Sequence, residues 1–360
     1  MINIIEGSSI NELTYRALKK ITSDGHSMPS RNGSTLTLYN TELILENPRA
    51  RHLSLVGRTN NIFAVIAETF WVLAGRKDIK PYLEFFIPRA PNYSDDGATW
   101  RAAYGERLYA FGQLENILEC FKKDGIFTRR AVLSLYFPSE DTYTSLRDKY
   151  NLENTLDVPC NNLLNFYVTP NKKLNLKVTQ RSGDILFGVC NINIFEFTVI
   201  QELVLQHLKK EVDDELTMGF YNHSVTNLHL YQSIEKQGYN IVANEALQQL
   251  HLHASDTLTF PNEINLNKEF FENLVDLITG FITSDKFSFE SGVTEARAIF
   301  DYYSVKAVGN LLWGYTTNIL CFVYEKKAEQ HQELDLHNTS EEFRYSVLNS
   351  SFKKQPQEEL

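Results

Sequence analysis

The chain has 360 residues, 43% of them hydrophobic and 22% charged, with a formal net charge of −10. That length suits one large domain with an appendage, or two domains. The acidic balance excludes a basic, nucleic-acid-coating surface and leaves any bound phosphate to a few placed arginines. Cys120, Cys160, Cys190 and Cys321 form no CxxC pair and have no histidine at zinc-finger spacing. Neither a metal site nor a disulfide framework is therefore expected, and a reducing, cytoplasmic compartment fits. The first residues, MINIIEGSSINELTYRALKK, lack a basic stretch leading into an apolar one, so no secretory signal is expected.

In chain order, residues 1–25 are expected to form an amphipathic helix, with Leu13, Ala17 and Leu18 about one turn apart and an end near Ser23-Asp24-Gly25. A polar segment with Pro29, Asn32 and Gly33 follows, and residues 34–46 alternate polar and apolar in the manner of a half-buried strand. Asn61 to Leu73 is apolar all round and stops at Gly75, the pattern of a buried helix with a glycine terminator. Residues 85–105, rich in Pro, Asn, Asp and Gly, predict a long loop of the kind that carries function. Next come a helix over Gly112 to Lys122, strands over Arg130–Phe137, Leu163–Val168 and Leu174–Gln180, and a strongly apolar helix from about Ile194 to Lys209. Without a regular βαβ repeat, the fold class expected is α+β, a mixed sheet packed with helices.

After about residue 260 the texture turns helical, over Phe270 to Ile282 and Thr294 to Lys326, and then charged and Gln/Ser-rich. Ala307 to Tyr324 runs eighteen residues without a charge, the lower limit for a membrane span. Its two Asn, two Thr and two Gly favour a buried core or interface helix, so no membrane is expected. The expected division is a main domain over 1–255, a helical appendage over 256–330 and a polar, flexible tail over 331–360.

The chemistry centres on Asp157-Val158-Pro159-Cys160-Asn161, a following strand reading LLNFYV, and then Thr179-Gln180-Arg181-Ser182-Gly183-Asp184. A cysteine just after proline at the mouth of a strand, facing an Arg-Ser pair on the neighbouring strand, is a thiol beside a fixed positive charge, which favours the thiolate nucleophile. In isolation Cys160 would read as a small core residue. Its company decides otherwise. Proline-cysteine, a strand reading FYV, Gln-Arg-Ser-x-Asp, and a glycine and an asparagine before a long apolar helix occur in the order found in thymidylate synthases.

The chain is thus identified as resembling the thymidylate synthase / deoxycytidylate hydroxymethylase superfamily, over about residues 13–240. Arg31-Asn32-Gly33-Ser34 resembles its N-terminal phosphate loop, Glu68 with Trp71 and Gly75 its E-x-x-W-x-x-x-G helix, and Tyr104-Gly105 its YG element. Thr128-Arg129-Arg130 stands where the family has paired arginines, and Asn227-Leu228-His229-Leu230-Tyr231 resembles D-x-H-x-Y. The resemblance implies a thymidylate synthase-like fold and C5 one-carbon transfer to a pyrimidine nucleoside monophosphate from 5,10-methylenetetrahydrofolate. By it, Cys160, Glu68, Tyr104 and Asp184 are catalytic. Cys160 attacks C6, and Glu68, a carboxylate in an apolar helix with a raised pKa, moves protons. Arg31, Arg181 and Ser182 hold the phosphate, as arginine's planar fork suits. Arg129 and Arg130 reach the partner's site in a homodimer. Asn161, Asn191 and Asn193 lie near the base, and His229 and Tyr231, on one strand face, bind the sugar hydroxyl.

Five departures qualify the resemblance. Asn161 follows the cysteine where the family usually has histidine, and the spacing from Gly188 fits neither Asn191 nor Asn193 to the base-reading position without a one-residue shift. Phe86-Ile87-Pro88 and Glu106-Arg107-Leu108 replace family motifs on the folate side, and the family's closing C-terminal segment is not visible in QPQEEL. Three readings follow: a C5 methyl- or hydroxymethyltransferase, leaning to hydroxymethyl because a folate side without its stacking tryptophan admits water; other Cys160 chemistry at C5 without folate; and a non-catalytic nucleotide-binding or assembly protein.

Overall fold

The computed structural model describes residues 2–58, 61–248, 260, 267–307 and 310–328. The expected tail over 331–360 lies outside the described residues. The chain opens with β1 (Asn3–Gly7), then α1 (Ile10–Asp24), β2 (His26–Met28), β3 (Thr35–Leu45) and α2 (Ile62–Leu73). It continues with α3 (Tyr104–Tyr109), α4 (Gln113–Asp124), β4 (Val132–Ser134), β5 (Asn161–Val168), β6 (Lys173–Gln180) and β7 (Gly183–Asp184). A π-helical segment, Ile185–Asn193, runs into α5 (Ile194–Glu211), and β8 (Thr217–Tyr231) follows. Three later helices are α6 (Lys268–Thr283), α7 (Phe289–Tyr302) and α8 (Leu311–Ala328).

The sheet order is β1-β3-β8-β6-β5-β4, with β2 beside β3 and β7 beside β8. Its β1/β3 and β6/β8 pairs are parallel, while β3/β8, β5/β6 and β4/β5 are antiparallel. This mixed sheet packed with helices is the α+β class expected. The fifteen residues of β8 occupy its centre and carry His223 and His229.

Three local expectations are corrected. The first helix begins at Ile10, where the Ser9 hydroxyl accepts the Glu12 amide N–H as an N-cap. Asn3–Gly7 instead pairs with β3 and turns Ile5 inward, a five-residue strand too short for its period to stand out. The strand expected over Arg130–Phe137 shrinks to Val132–Ser134, because the amides of Leu135 and Tyr136 both turn to the Asn162 carbonyl and end the ladder. The long helix expected over Thr294–Lys326 is two helices. Ser304, at φ 57°, closes the first as its own amide reaches the Asp301 carbonyl and Val305's reaches Phe300's.

α2 is the hub. Apolar on nearly every side, it packs against α5, α6 and α8, with Phe63 stacked on Phe322 at 4.6 Å and Phe70 against Phe271 at 6.0 Å. The uncharged Ala307–Tyr324 run supplies most of α8, whose described residues up to Val323 are buried. Among the described residues one helix is long and apolar enough to cross a membrane, Ile185–Glu211, and 83% of its apolar window is buried inside the protein. It is a core helix.

Candidate active site

Cys160 ends a loop whose backbone is held at several points. The Asp157 carboxylate accepts the amide N–H groups of Arg101 (2.5 Å) and Ala102 (3.1 Å), and the Arg101 guanidinium donates to the Asp157 carbonyl. Arg181 donates from Nε to the Pro159 carbonyl (3.0 Å) and from Nη2 to that of Val158 (3.1 Å), while its amide meets the Cys160 carbonyl at 2.9 Å. Arg31 reaches the Thr155 carbonyl at 3.2 Å. Two of the arginines expected at a phosphate thus converge on the cysteine loop. Burial pushes the Asp157 carboxyl up to about 6, against the pull of the Arg101 and Ala102 amides.

The loop borders a cavity of about 350 Å³. Cys160, Glu68, Tyr104, Ser182, Asp184 and Asn193 all line it. Asn161 does not: it is buried beside it, its amide N and Nδ2 donating to the Tyr104 hydroxyl at 3.1 and 3.0 Å, with Oδ1 unpartnered. Because the Tyr104 oxygen accepts two bonds, its own proton is free to point into the cavity. Burial first, and then the Cys160 thiol's charge, raises that phenol well above its ordinary range.

Glu68 faces the cavity from α2 with Oε2 buried and unpartnered, and burial pushes its carboxyl up to about 7 against the pull of Arg89. Asp184 caps the π-helical segment, its Oδ1 accepting the amides of Leu186 (3.0 Å) and Phe187 (2.6 Å), with Oδ2 left buried and unpartnered. Burial raises this carboxyl too. It stands in register with His229, which burial holds below the usual imidazole range and whose Nδ1 meets Asn227 Oδ1 at 3.1 Å. Tyr231 stands edge-on to His229 at 4.9 Å.

The one-residue misfit around Asn191 and Asn193 falls within the π-helical segment. Closing hydrogen bonds five residues apart takes in one more residue than an α-turn and shifts every later side chain around the axis. Asn193 thereby lines the cavity, its Oδ1 taking Gln180 Nε2 at 3.3 Å, while Asn191 is buried with Oδ1 unpartnered. Gly183 permits the close approach, since a Cβ there would stand 2.3 Å from Val189 Cγ2.

Arg129 and Arg130 are not drawn into this cavity. Both are exposed beyond α4, and Arg130, with a side chain 77% exposed, pairs with Asp124 at 3.3 Å. The cavity also enlists residues that motif reading passed over. Tyr93 and Trp100 form an aromatic wall, Trp100 meeting Trp71 of the α2 motif edge to face at 5.6 Å. The aromatics among the turn residues of 85–105 were the available signal. Arg58 and Arg89 lie on Phe187 at 5.0 and 5.2 Å, positions no motif marks.

With this geometry established, the comparisons are consistent. The sequence model described as thymidylate synthase matches residues 14–272. A deoxyuridylate hydroxymethyltransferase of Delftia phage PhiW-14 is 39% identical over 244 residues, spanning 68% of this chain and 66% of that protein. One of Bacillus phage SP01 is 31% identical over 264 residues, spanning 67% and 64%. A thymidylate synthase of Mesoplasma florum is 24% identical over 206 residues, spanning 48% and 65%. The matches cover a little under two thirds of these relatives' own lengths. The chain belongs to the thymidylate synthase family.

Proposed function

We propose that the protein is a cytoplasmic pyrimidine nucleotide C5 hydroxymethyltransferase acting on deoxyuridylate. The observation that carries the reading is the convergence of Cys160, Glu68, Tyr104 and Asn193 on one cavity. The names of the phage relatives support the substrate, and four free cysteines support the compartment.

Tyr93 and Trp100 bring aromatic surface to the cavity, backed by the buried Trp71, and Glu68 an unpartnered oxygen, so the residues fit a flat heteroaromatic cofactor with a polar edge, 5,10-methylenetetrahydrofolate. When bound, that cofactor supplies a one-carbon unit at the oxidation level of formaldehyde. The rest is this chain's work. Cys160 Sγ adds to C6 of the pyrimidine and makes C5 a carbon nucleophile. Tyr104 donates to developing charge on the base, and Glu68, poised near neutrality, carries protons to and from C5 and its substituent. Asn193 reads the base. Gln180 occupies its Oδ1, so Nδ2 is the atom left to give, which suits the O4 acceptor of uracil rather than the amine of cytosine.

In the same proposal Arg31, Arg181 and Ser182 bind the phosphate and His229 and Tyr231 the sugar, with Asp184 holding the β7 end of the site. Arg129 and Arg130 of one protomer complete the partner's site in a homodimer. Their exposure beyond α4 supports that role. These residues, 31–231, fall in the 1–255 domain, and the helices between 256 and 330 are an appendage that braces α2.

The test is tritium release from C5 of dUMP, dCMP, UMP and CMP, with and without methylenetetrahydrofolate. Folate-dependent release from dUMP is expected, with hydroxymethylated product, reduced about a thousandfold or more by Cys160→Ala. Methylated product alone would refute the hydroxymethyl assignment, folate-independent release would remove the cofactor, and no release from any nucleotide would favour a binding protein.

A further inference from the structure

Residues 101–104 and the loop 157–161 are tied together at both ends. At one end the Asp157 carboxylate accepts the Arg101 amide N–H on Oδ2 at 2.5 Å and the Ala102 amide N–H on Oδ1 at 3.1 Å. At the other the Tyr104 hydroxyl accepts the Asn161 amide N–H at 3.1 Å and its Nδ2 at 3.0 Å. The two bridges close a ring of backbone, and Cys160 lies inside it, next to the Asn161 bridge. The Asp157 end is itself braced. The Arg101 guanidinium donates to the Asp157 carbonyl, from Nη1 to the Glu140 carbonyl at 2.9 Å and to Asp141 Oδ1 at 3.1 Å, and from Nε to Asp95 Oδ2 at 3.2 Å. Thr155 Oγ1 accepts the Asp157 amide N–H at 2.8 Å and donates to Asp95.

A carboxylate at this place loses hydration that an apolar side chain would not. Asp157 is 7% exposed and borders the cavity among Leu156, Val158, Pro159 and Trp100. Its contribution is geometric. An ionised carboxylate only accepts, so it meets both amides at once, one on each oxygen, whereas the isosteric asparagine has a single acceptor oxygen and would turn an NH2 toward the other amide. The amides it holds lie just before Tyr104 in the chain, and the carboxylate lies just before Cys160. Arg181 grips the Val158 and Pro159 carbonyls from beyond β6, so the loop keeps an anchor of its own when the ring is opened.

We propose that Asp157 is a positioning residue for Cys160: by closing the ring it fixes the thiol relative to the Tyr104 hydroxyl, so that nucleophile and hydrogen-bond donor meet the pyrimidine as one rigid unit. The proposal rests on the reading of Cys160 as the nucleophile that adds to C6. Tyr104 and Cys160 come from different parts of the fold, the start of α3 and the loop before β5, and both line the same cavity. An error in their separation is therefore an error in the reacting geometry, and a displacement of about 1 Å costs on the order of a hundredfold in rate. Asp157 acts through the backbone of the two segments, not through the nucleotide.

The experiment combines amide hydrogen exchange with kinetics on the full chain. In the wild type the amides of Arg101, Ala102 and Asn161 are expected to exchange as one unit, with protection equal to within about threefold. Asp157→Asn should speed exchange at Asn161, on the far side of Cys160, by about tenfold or more, together with Arg101 and Ala102. It should lower kcat for dUMP by about tenfold or more while the dUMP Kd and the KM for methylenetetrahydrofolate stay within about threefold. Combined with Tyr104→Phe, which breaks the other bridge, it should cost no more than about threefold beyond the larger single loss. Asn161 exchange that ignores Asp157→Asn, losses that multiply in the double variant, or a loss confined to the folate KM each overturns the proposal. If the variant fails to fold, unequal protection of the three wild-type amides overturns it without a variant. Exchange coupled across Cys160 in a protein that converts no nucleotide would refute the functional reading and leave the ring intact; turnover of dUMP with an unchanged kcat in Asp157→Asn would do the reverse.

Discussion

Tyr104 illustrates how much one hydroxyl holds in place. It accepts two bonds from Asn161, directly after the candidate nucleophile, and so fixes where β5 begins relative to Cys160. Tyr104→Phe leaves two buried donors unmet at a cost of about 1–3 kcal/mol each, less whatever water recovers. Turnover of dUMP should fall by about tenfold or more while the cavity's aromatic wall is untouched, measured as kcat against nucleotide Kd. At this scale the sequence was most legible. Cys160, Arg181, Ser182 and Asp184 sit in two short runs at the paired ends of β5 and β6, where order in the chain is nearly order in space. Trp100 was not legible, because a tryptophan in an irregular loop has no period to place it.

Among the elements, β8 combines sheet centre and buried polar groups. His223, in its middle, has an ordinary pKa of 6.5 that burial lowers to about 3. The folded state therefore refuses a proton that the unfolded chain binds below pH 6.5, so stability is lost as pH falls from 6.5 toward 3 and is unaffected above that window. At pH 5 the loss is about 2 kcal/mol. His223→Gln, compared by urea unfolding at pH 7 and pH 5, should show that much less acid sensitivity than the wild type; equal sensitivity would show that another group governs the acid limb. Strongly patterned elements such as the alternating β3 and the all-round apolar α2 were readable from their sequences. The π-helical segment was not, because its extra residue appears in sequence only as a spacing that fails to fit, and only the backbone shows where the misfit is absorbed.

For the whole molecule, the proposed homodimer makes a prediction that no single site can. If Arg129 and Arg130 act on the partner's nucleotide, the Arg129→Ala/Arg130→Ala double variant and Cys160→Ala should each be nearly inactive alone. Mixed and re-equilibrated, they should regain part of the wild-type rate, since half the sites in a mixed dimer pair an intact cysteine with intact arginines. A mixture no more active than its parts would confine the arginines to their own protomer. The helices α6 to α8 play a different part, closing the core over α2 through the Phe63–Phe322 and Phe70–Phe271 contacts. Their helical, apolar character was evident from composition, but not that one long run would break at Ser304 and fold back.

The sheet order carries a consequence for how such a chain is made. β8 leaves the ribosome after β1 to β7, yet it lies between β3 and β6 and is the one strand that joins them. Until residues 217–231 emerge, the half bearing β1 and β3 and the half bearing Cys160 on the β5–β6 hairpin have no shared edge, and the contact that joins them spans a large separation in sequence. A nascent chain therefore cannot complete the candidate site while β8 is still in the exit tunnel, and translation itself delays the appearance of a finished pocket around the thiol.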